Sequence, residues 1–289
     1  MNSKLKHYIR KDTIIIFFSV FLFSFGTIWL FIEFPSSVNS SIKGFFEKFG
    51  NLTLIFSIII SFFVGLIRIY PKKKLNRKFI ASNTSIEIFV GDIFDEKGNF
   101  AIGSSNYFDT NFEIANLSLK SQLINRCFNS DTTDVDRLIE QSLTEQCIAG
   151  EIDLSKTIGK QQKFPIGTTV RLNQNNRQIY VFVISELLFE DGRKHTSSNP
   201  ELLNIALSKF WSFVKTENRM REIAIPVLGS GLARINLSYR LLIQMIILSF
   251  VTYSKSTRIT EKLKIVVHEK DYNPEDFEEL NRFLKSIEI

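Results

Sequence analysis

The chain has 289 residues, enough for one full domain with an appendage or for two small domains. Its formal charge of +6 would suit a nucleic-acid binder if it were spread evenly, but residues 1–80 hold 12 Lys/Arg against 3 Asp/Glu, and residues 81–289 hold 24 against 27. The basic excess therefore belongs to the N-terminal segment, and no nucleic-acid partner is expected. Cys127 and Cys147 are too few for a disulfide scaffold and read as two buried, reduced thiols, while His7, His195 and His268 show no metal-ligand spacing. No metal and no cofactor are expected.

Thr13 to Ile32, TIIIFFSVFLFSFGTIWLFI, is 20 residues without a charge. At about 1.5 Å per residue it matches a hydrocarbon core roughly 30 Å thick. A signal peptide is the competing reading, because Lys4, Lys6, Arg10 and Lys11 resemble a charged leader. The apolar run is too long for that, and Glu33-Phe34-Pro35 is not a small-residue cleavage site. A second run, Leu52 to Ile67, continues past Arg68 to Tyr70, with a buried core helix as its alternative. The basic tract Lys72 to Lys78 then favours a cytoplasmic side and can hold anionic lipid, so a two-pass hairpin over residues 1–80 (spans about 13–32 and 52–70) with both termini inside is expected. Neither span carries an ionisable group at its centre, which excludes a proton relay or a charged transport site.

From residue 81 to 289 the pattern is that of an α/β domain. Strands are expected over Ser85–Val90, Phe100–Ser105, Thr168–Leu172, Gln178–Ser185, Glu222–Val227 and Lys264–His268. Helices are expected over Glu113–Phe128, Val135–Ile148 capped by Asp131 with Gly150 past its end, Pro200–Thr216, Ser238–Ser254 and Pro274–Ile287. Ser238–Ser254 is apolar enough to raise a third span, but Gln244 and its length favour a buried core helix. Strands alternating with helices imply a mostly parallel or mixed sheet covered on both faces.

In such folds ligands bind beyond the carboxyl ends of strands, and VLGSGLA, Val227 to Ala233, occupies that position. Glycines permit close backbone approach, and successive N–H groups near a helix start can cradle phosphate. The loop is not a Walker A motif, a dinucleotide fingerprint or a nucleophile elbow, so a phosphate cradle and a tight structural turn stand as equal readings. VGDIF, Val90 to Phe94, and AIGSSNYFDT, Ala101 to Thr110, put Asp92, Asn106, Phe108 and Asp109 just after two further strands. An aspartate there can accept from an exocyclic amine and an aromatic can stack on a base or ribose, while turn capping by Asp92 and a core position for Phe108 are the plain alternatives.

Together these three motifs resemble a macro domain over about residues 84–288. The resemblance implies an α/β/α three-layer domain with a mixed sheet that binds ADP-ribose-type nucleotides, with Asp92 at the adenine and Gly229 to Ala233 around the diphosphate. The expected ligand-binding residues are Asp92, Ile93, Ser104, Asn106, Phe108, Asp109, Thr110, Leu228, Gly229, Ser230, Gly231, Leu232 and Ala233. With two spans ahead of it, the chain is similar to the membrane-anchored macro effectors of type II Thoeris antiphage systems. That implies a signal nucleotide, histidine-ADP-ribose, made by a TIR-domain partner enzyme, with homo-oligomerisation and disruption of the bacterial inner membrane. Hydrolytic macro domains carry Asn-Ala-Ala-Asn, a glycine triplet and then an aspartate. Here Gly103 replaces the first asparagine, Asn106 matches the second, no triplet follows, and Ser118-Leu119-Lys120 occupies the region of the aspartate. A non-catalytic binder is therefore expected, with a membrane-tethered ADP-ribosyl hydrolase relying on Asp109 or Asn106, or an anchored scaffold, as alternatives. Glu113, Lys120, Glu186 and Arg234 are candidates, by position only, for contacts to the ligand's distal group.

Overall fold

The structure, a computed structural model, describes residues 8–79, 83–110, 118–174, 176–190, 193–217, 222–231, 233, 235–256 and 259–287. The chain divides into two compact units, one formed by Met1–Lys72 with Asn273–Phe277, the other by Lys73–Tyr272 with Glu278–Ile289.

In the first unit, helix α1 (Lys11–Val38) packs against helix α2 (Ser40–Ile69). Their segments Thr13–Val38 and Lys48–Ile69 are each long and apolar enough to cross a membrane, with a mean hydropathy of 2.4. Small residues make the seam: Ser57 and Ser61 are buried, and a Cβ at Gly65 would fall 2.7 Å from the Phe17 ring. Several hydroxyls that an apolar medium would leave unsatisfied turn back onto their own helix, as Ser57 does to the Thr53 carbonyl at 2.8 Å and Ser24 to that of Val20 at 2.6 Å. The outward faces carry large apolar side chains such as Phe23, Phe31 and Ile67, all exposed.

The second unit is built on an eight-stranded mixed sheet. Its strands are β1 (Lys74–Phe79), β2 (Thr84–Val90), β3 (Asn99–Ser105), β6 (Thr169–Gln174), β7 (Arg177–Glu190), β8 (Arg193–Ser197), β9 (Ile223–Pro226) and β10 (Lys262–Val267). Two further short strands, β4 (Glu151–Ile152) and β5 (Gln162–Lys163), pair with each other alone. The order across the sheet is β1-β2-β10-β9-β3-β7-β6, with β8 pairing the outer half of β7. Strands β2, β10, β9, β3 and β7 are mutually parallel, so their carboxyl ends share one edge.

Alternation along β7 sorts the two covering layers. Ile179, Val181 and Val183 join the cluster that holds Leu123 and Ile124 of α3 (Leu119–Cys127) and Val135, Ile139 and Leu143 of α4 (Thr132–Glu145). Tyr180 and Phe182 instead meet Phe210 of α5 (Pro200–Glu217), the Phe182 and Phe210 rings stacking at 4.3 Å. Helix α6 (Tyr239–Ser256) lies against α5, where the Trp211 indole donates to Ser249 Oγ at 3.0 Å. It is a core helix, as its sequence suggested. Helix α7 (Pro274–Ser286) closes the chain. The fold is the expected three-layer α/β/α arrangement with a mixed sheet.

Four local expectations need correction. The basic tract after α2 is not all linker: from Lys74 it forms the edge strand β1, antiparallel to β2, with Leu75 and Phe79 buried and the charged residues between them exposed. Strand β7 runs five residues past Ser185 and recruits β8. Helix α4 ends at Glu145, and Cys147, not Gly150, takes the left-handed position after it (φ 54°), while Ile148 N–H reaches back to the Leu143 carbonyl at 3.0 Å. That position leaves Cys147 exposed, whereas Cys127 is buried as expected. Of the helix expected over Glu113–Phe128, residues 111–117 lie outside the described residues and the remainder begins at Leu119.

Candidate functional site

The shared carboxyl edge opens into a cavity of about 410 Å³. Its walls come from the turns after β2 (Gly91 to Ile93), β9 (Val227 to Gly231 and Ala233) and β10 (His268, Lys270, Asp271), from the end of β3 (Gly103 to Ser105) and Asp109 beyond it, from Ser118 to Lys120 and Gln122 at the start of α3, and from Ile184, Ser185 and Leu187 of β7.

At one end Asp92 caps a short 3₁₀ turn, Ile93–Asp95, accepting from Phe94 N–H at 3.0 Å, and its second oxygen meets Arg126 Nη1 at 2.5 Å. Burial alone would raise its carboxyl, but the Phe94 N–H and the Arg126 guanidinium outweigh that and hold it below the usual range. Turn capping and a cavity-lining position thus coexist in one side chain. Arg126 also lies 4.9 Å from the Phe94 ring centre, fixing the turn from above.

In the glycine loop the two glycines differ in kind. Gly229 has φ 85°, and a Cβ there would meet Ile235 Cδ1 at 2.6 Å, so the turn itself requires glycine. Among the described residues nothing lies within 4 Å of a would-be Cβ at Gly231, and this position lines the cavity. Ser230 spends its hydroxyl on the Val227 carbonyl at 2.8 Å, which suits a loop former and not a nucleophile. The Tyr239 phenol, at the start of α6, also lines the cavity, and burial together with donation to Asp271 pushes its pKa up.

At the other end, Asp109 is almost fully buried, accepting Lys160 N–H at 2.7 Å and sitting 3.1 Å from Lys156 Nζ, which is itself fully buried. Beside it Lys120, 4% exposed, donates to Ser104 Oγ at 3.3 Å. Burial lowers the Lys120 ammonium to about 8, with the Asp109 charge pulling the other way. Gly103 lies under Ile184, whose Cδ1 would be 2.3 Å from any Cβ at 103. Ile184 gains that place because the β3–β7 register slips between Ser104, paired with Val183, and Ser105, paired with Ser185.

Of the residues expected at the site, Asp92, Ile93, Ser104, Asp109, Leu228, Gly229, Ser230, Gly231 and Ala233 line the cavity. Three do not. Asn106 is buried behind it, its Oδ1 accepting Leu187 N–H at 3.0 Å and its carbonyl accepting Phe164 N–H at 2.7 Å, so it splices loops together. Phe108, fully buried with φ 48°, packs on Phe164 at 5.5 Å and belongs to the core. Thr110 donates to Asp136 at 2.9 Å. Leu232, Glu113 and Arg234 lie outside the described residues, and Glu186 is not part of the lining. Lys120, named by position alone, does line it. Arg126, Tyr239, Ile184 and His268 carried no sequence signal of their own, although His268 follows a strand parallel to β2 and the carboxyl-edge rule pointed there. Among the described residues no group of His, Cys, Asp and Glu is arranged to hold a metal.

Residues 86–268 match the family described as Thoeris protein ThsA, Macro domain. Thoeris protein ThsA of Bacillus amyloliquefaciens (strain Y2) is 23% identical over 273 residues, covering 89% of this chain and 88% of that protein. Among solved structures, the Oceanobacillus iheyensis macrodomain with ADP superposes at a TM-score of 0.50 and 15% identity over 75% of this chain and 100% of that one. The same macrodomain with MES bound gives 0.50 and 14% over 74% and 100%. These last two likenesses speak for the fold. With the match over residues 86–268, the conclusion is that this chain belongs to the macro-domain family of the Thoeris protein ThsA.

Proposed function

We propose that the chain is a membrane-anchored effector of Thoeris antiphage defence whose cytoplasmic macro domain holds an ADP-ribose-derived signal nucleotide. The observation that carries this reading is Gly231, a side-chain-free position facing open cavity at the carboxyl edge of the sheet, next to a glycine that the turn itself demands. Solved macrodomains of the same fold hold ADP or ADPR. The finer reading follows the Thoeris relationship: histidine-ADP-ribose made by a TIR-domain enzyme binds, protomers associate, and the α1–α2 hairpins, with both chain termini on the cytoplasmic side of the inner membrane, act together to disrupt it. A ligand achieves this only by binding the associating form more tightly.

Holding without turnover is favoured by the state of the acidic candidate. Asp109 is locked to Lys156 and to Lys160 N–H, and a base so engaged is poorly placed to activate water. The test is calorimetry on the full chain in lipid nanodiscs with ADP-ribose and histidine-ADP-ribose, paired with dye release from vesicles carrying the protein. Saturable binding without product, and dye release that requires the nucleotide, support the reading. Absence of heat at high micromolar nucleotide removes it, and turnover moves the chain to the hydrolases.

A further inference from the structure

The sheet orders what the cavity can hold. Asp92 follows β2, the glycine loop follows β9 two strands further across, and Ser104 ends β3, the strand after that. At ~4.8 Å between neighbouring strands, Ser104 stands roughly 15 Å from Asp92, beyond the glycine loop. If base and diphosphate occupy the first two stations, the third meets whatever the ligand carries past its diphosphate.

Lys120 reaches that third station from the first turn of α3. Its ammonium is buried, faces the cavity, and is joined to a hydroxyl, Ser104 Oγ, rather than to a carboxylate. The neighbouring acids are already engaged: Asp109 with Lys156 and Lys160 N–H, Asp136 with Lys160 Nζ at 2.5 Å and with Thr110. Among the described residues no carboxylate pairs with this ammonium; keeping it out of water in that state is expensive, and a fold that does so beside an open cavity has left room for an anion. One ammonium and one hydroxyl suit a singly charged, planar group better than a dianionic phosphate, which needs several donors.

We propose that Lys120 and Ser104 form an anion subsite that receives a carboxylate carried by the nucleotide beyond its diphosphate. This rests on the nucleotide reading above and adds the chemical handle by which the signal is told from plain ADP-ribose.

The experiment is titration of the full chain in nanodiscs with ADP-ribose, histidine-ADP-ribose and the carboxamide analogue of histidine-ADP-ribose, for the wild type and Lys120→Met. The wild type binds the carboxylate at least about tenfold tighter than the carboxamide, the loss expected for one buried charged hydrogen bond. In Lys120→Met that preference disappears while the affinity for ADP-ribose is kept. Equal binding of carboxylate and carboxamide by the wild type overturns the subsite, even if the variant does not fold. Equal weakening of all three ligands by Lys120→Met also overturns it, because the lysine then serves the diphosphate. If ADP-ribose binds and only the subsite arms fail, the nucleotide reading survives; if nothing binds the wild type, both fall.

Discussion

Ile184 occupies the space above Gly103: its Cδ1 lies 2.3 Å from where a Cβ at position 103 would stand. The glycine that replaces the hydrolytic asparagine pattern is thus one half of a packing pair whose other half comes from the slipped register of β7. Restoring the asparagine alone, as Gly103→Asn, overpacks this spot and should cost about 1–3 kcal/mol. Thermal melting of the nanodisc-embedded chain checks this, and Gly103→Asn combined with Ile184→Ala should recover most of the loss. Neither variant should gain hydrolysis of ADP-ribosylated substrate.

The two glycines of the loop should separate under mutation. Gly231→Val meets open space, so melting should stay within about 0.5 kcal/mol of wild type while nucleotide binding is lost. Gly229→Val is strained at φ 85° and runs into Ile235, so it should lower stability by about 1–3 kcal/mol as well as binding. Equal stability of the two variants would contradict the division of labour drawn here.

Asp109 and Lys156 form a pair with neither member in water. Asp109→Asn or Lys156→Met alone should cost about 3–5 kcal/mol, since each strands the other's charge, whereas the double variant should recover a large part. A double-mutant cycle read by melting temperature settles this.

Lys120 predicts a pH dependence with a definite sign. Its folded value of about 8 lies below its ordinary 10.5, so below pH 8 the cost of burying the charge is fully present and is relieved as pH rises from 8 to 10.5. Without ligand, Lys120→Met should therefore be the more stable protein at pH 7, by on the order of 3 kcal/mol, with the gap closing toward pH 10.5. Affinity for the carboxylate-bearing nucleotide should run in the wild type from strong at pH 7 to weak above pH 9, and be nearly flat in the variant.

At the hairpin seam, Gly65→Leu drives a side chain into Phe17 and should separate α1 from α2, read as lost protection of the seam in hydrogen exchange.

The strands and helices around the site were legible because their periods are strong and their boundaries carry Asp131, Asn199-Pro200 and Asn273-Pro274 as start signals. The three motif loops were found because β2, β3 and β9 are parallel, so that sequence position after a strand translates into one spatial edge. What failed has physical causes. Lys74–Phe79 is an edge strand whose solvent side is charged, and a strand with only Leu75 and Phe79 buried looks like a linker. Phe108 and Asn106 sit in a site motif yet turn inward, because a left-handed residue at 108 and the bonds of Asn106 to Leu187 and Phe164 send the chain back into the core. The register slip that gives Ile184 its place leaves no mark in composition at all.

The fully buried ammonium of Lys156 also decides how the chain around Asp109, a residue that lines the cavity, can behave mechanically. It ties Asp109 to the segment of Lys156, Ile158 and Lys160, donating to the Ile158 carbonyl as well, and lifting that segment would strand two opposite charges at once. On the side of Asp109 the cavity is riveted. The glycine loop hangs on Gly229 and on a Ser230 hydroxyl shared between the Val227 carbonyl and the Tyr239 phenol, and among the described residues no ion pair fastens it. A ligand held in the cavity would meet an anvil at Asp109 and a leaf spring at the glycine loop, whose Ser230–Tyr239 bond leads to the start of α6.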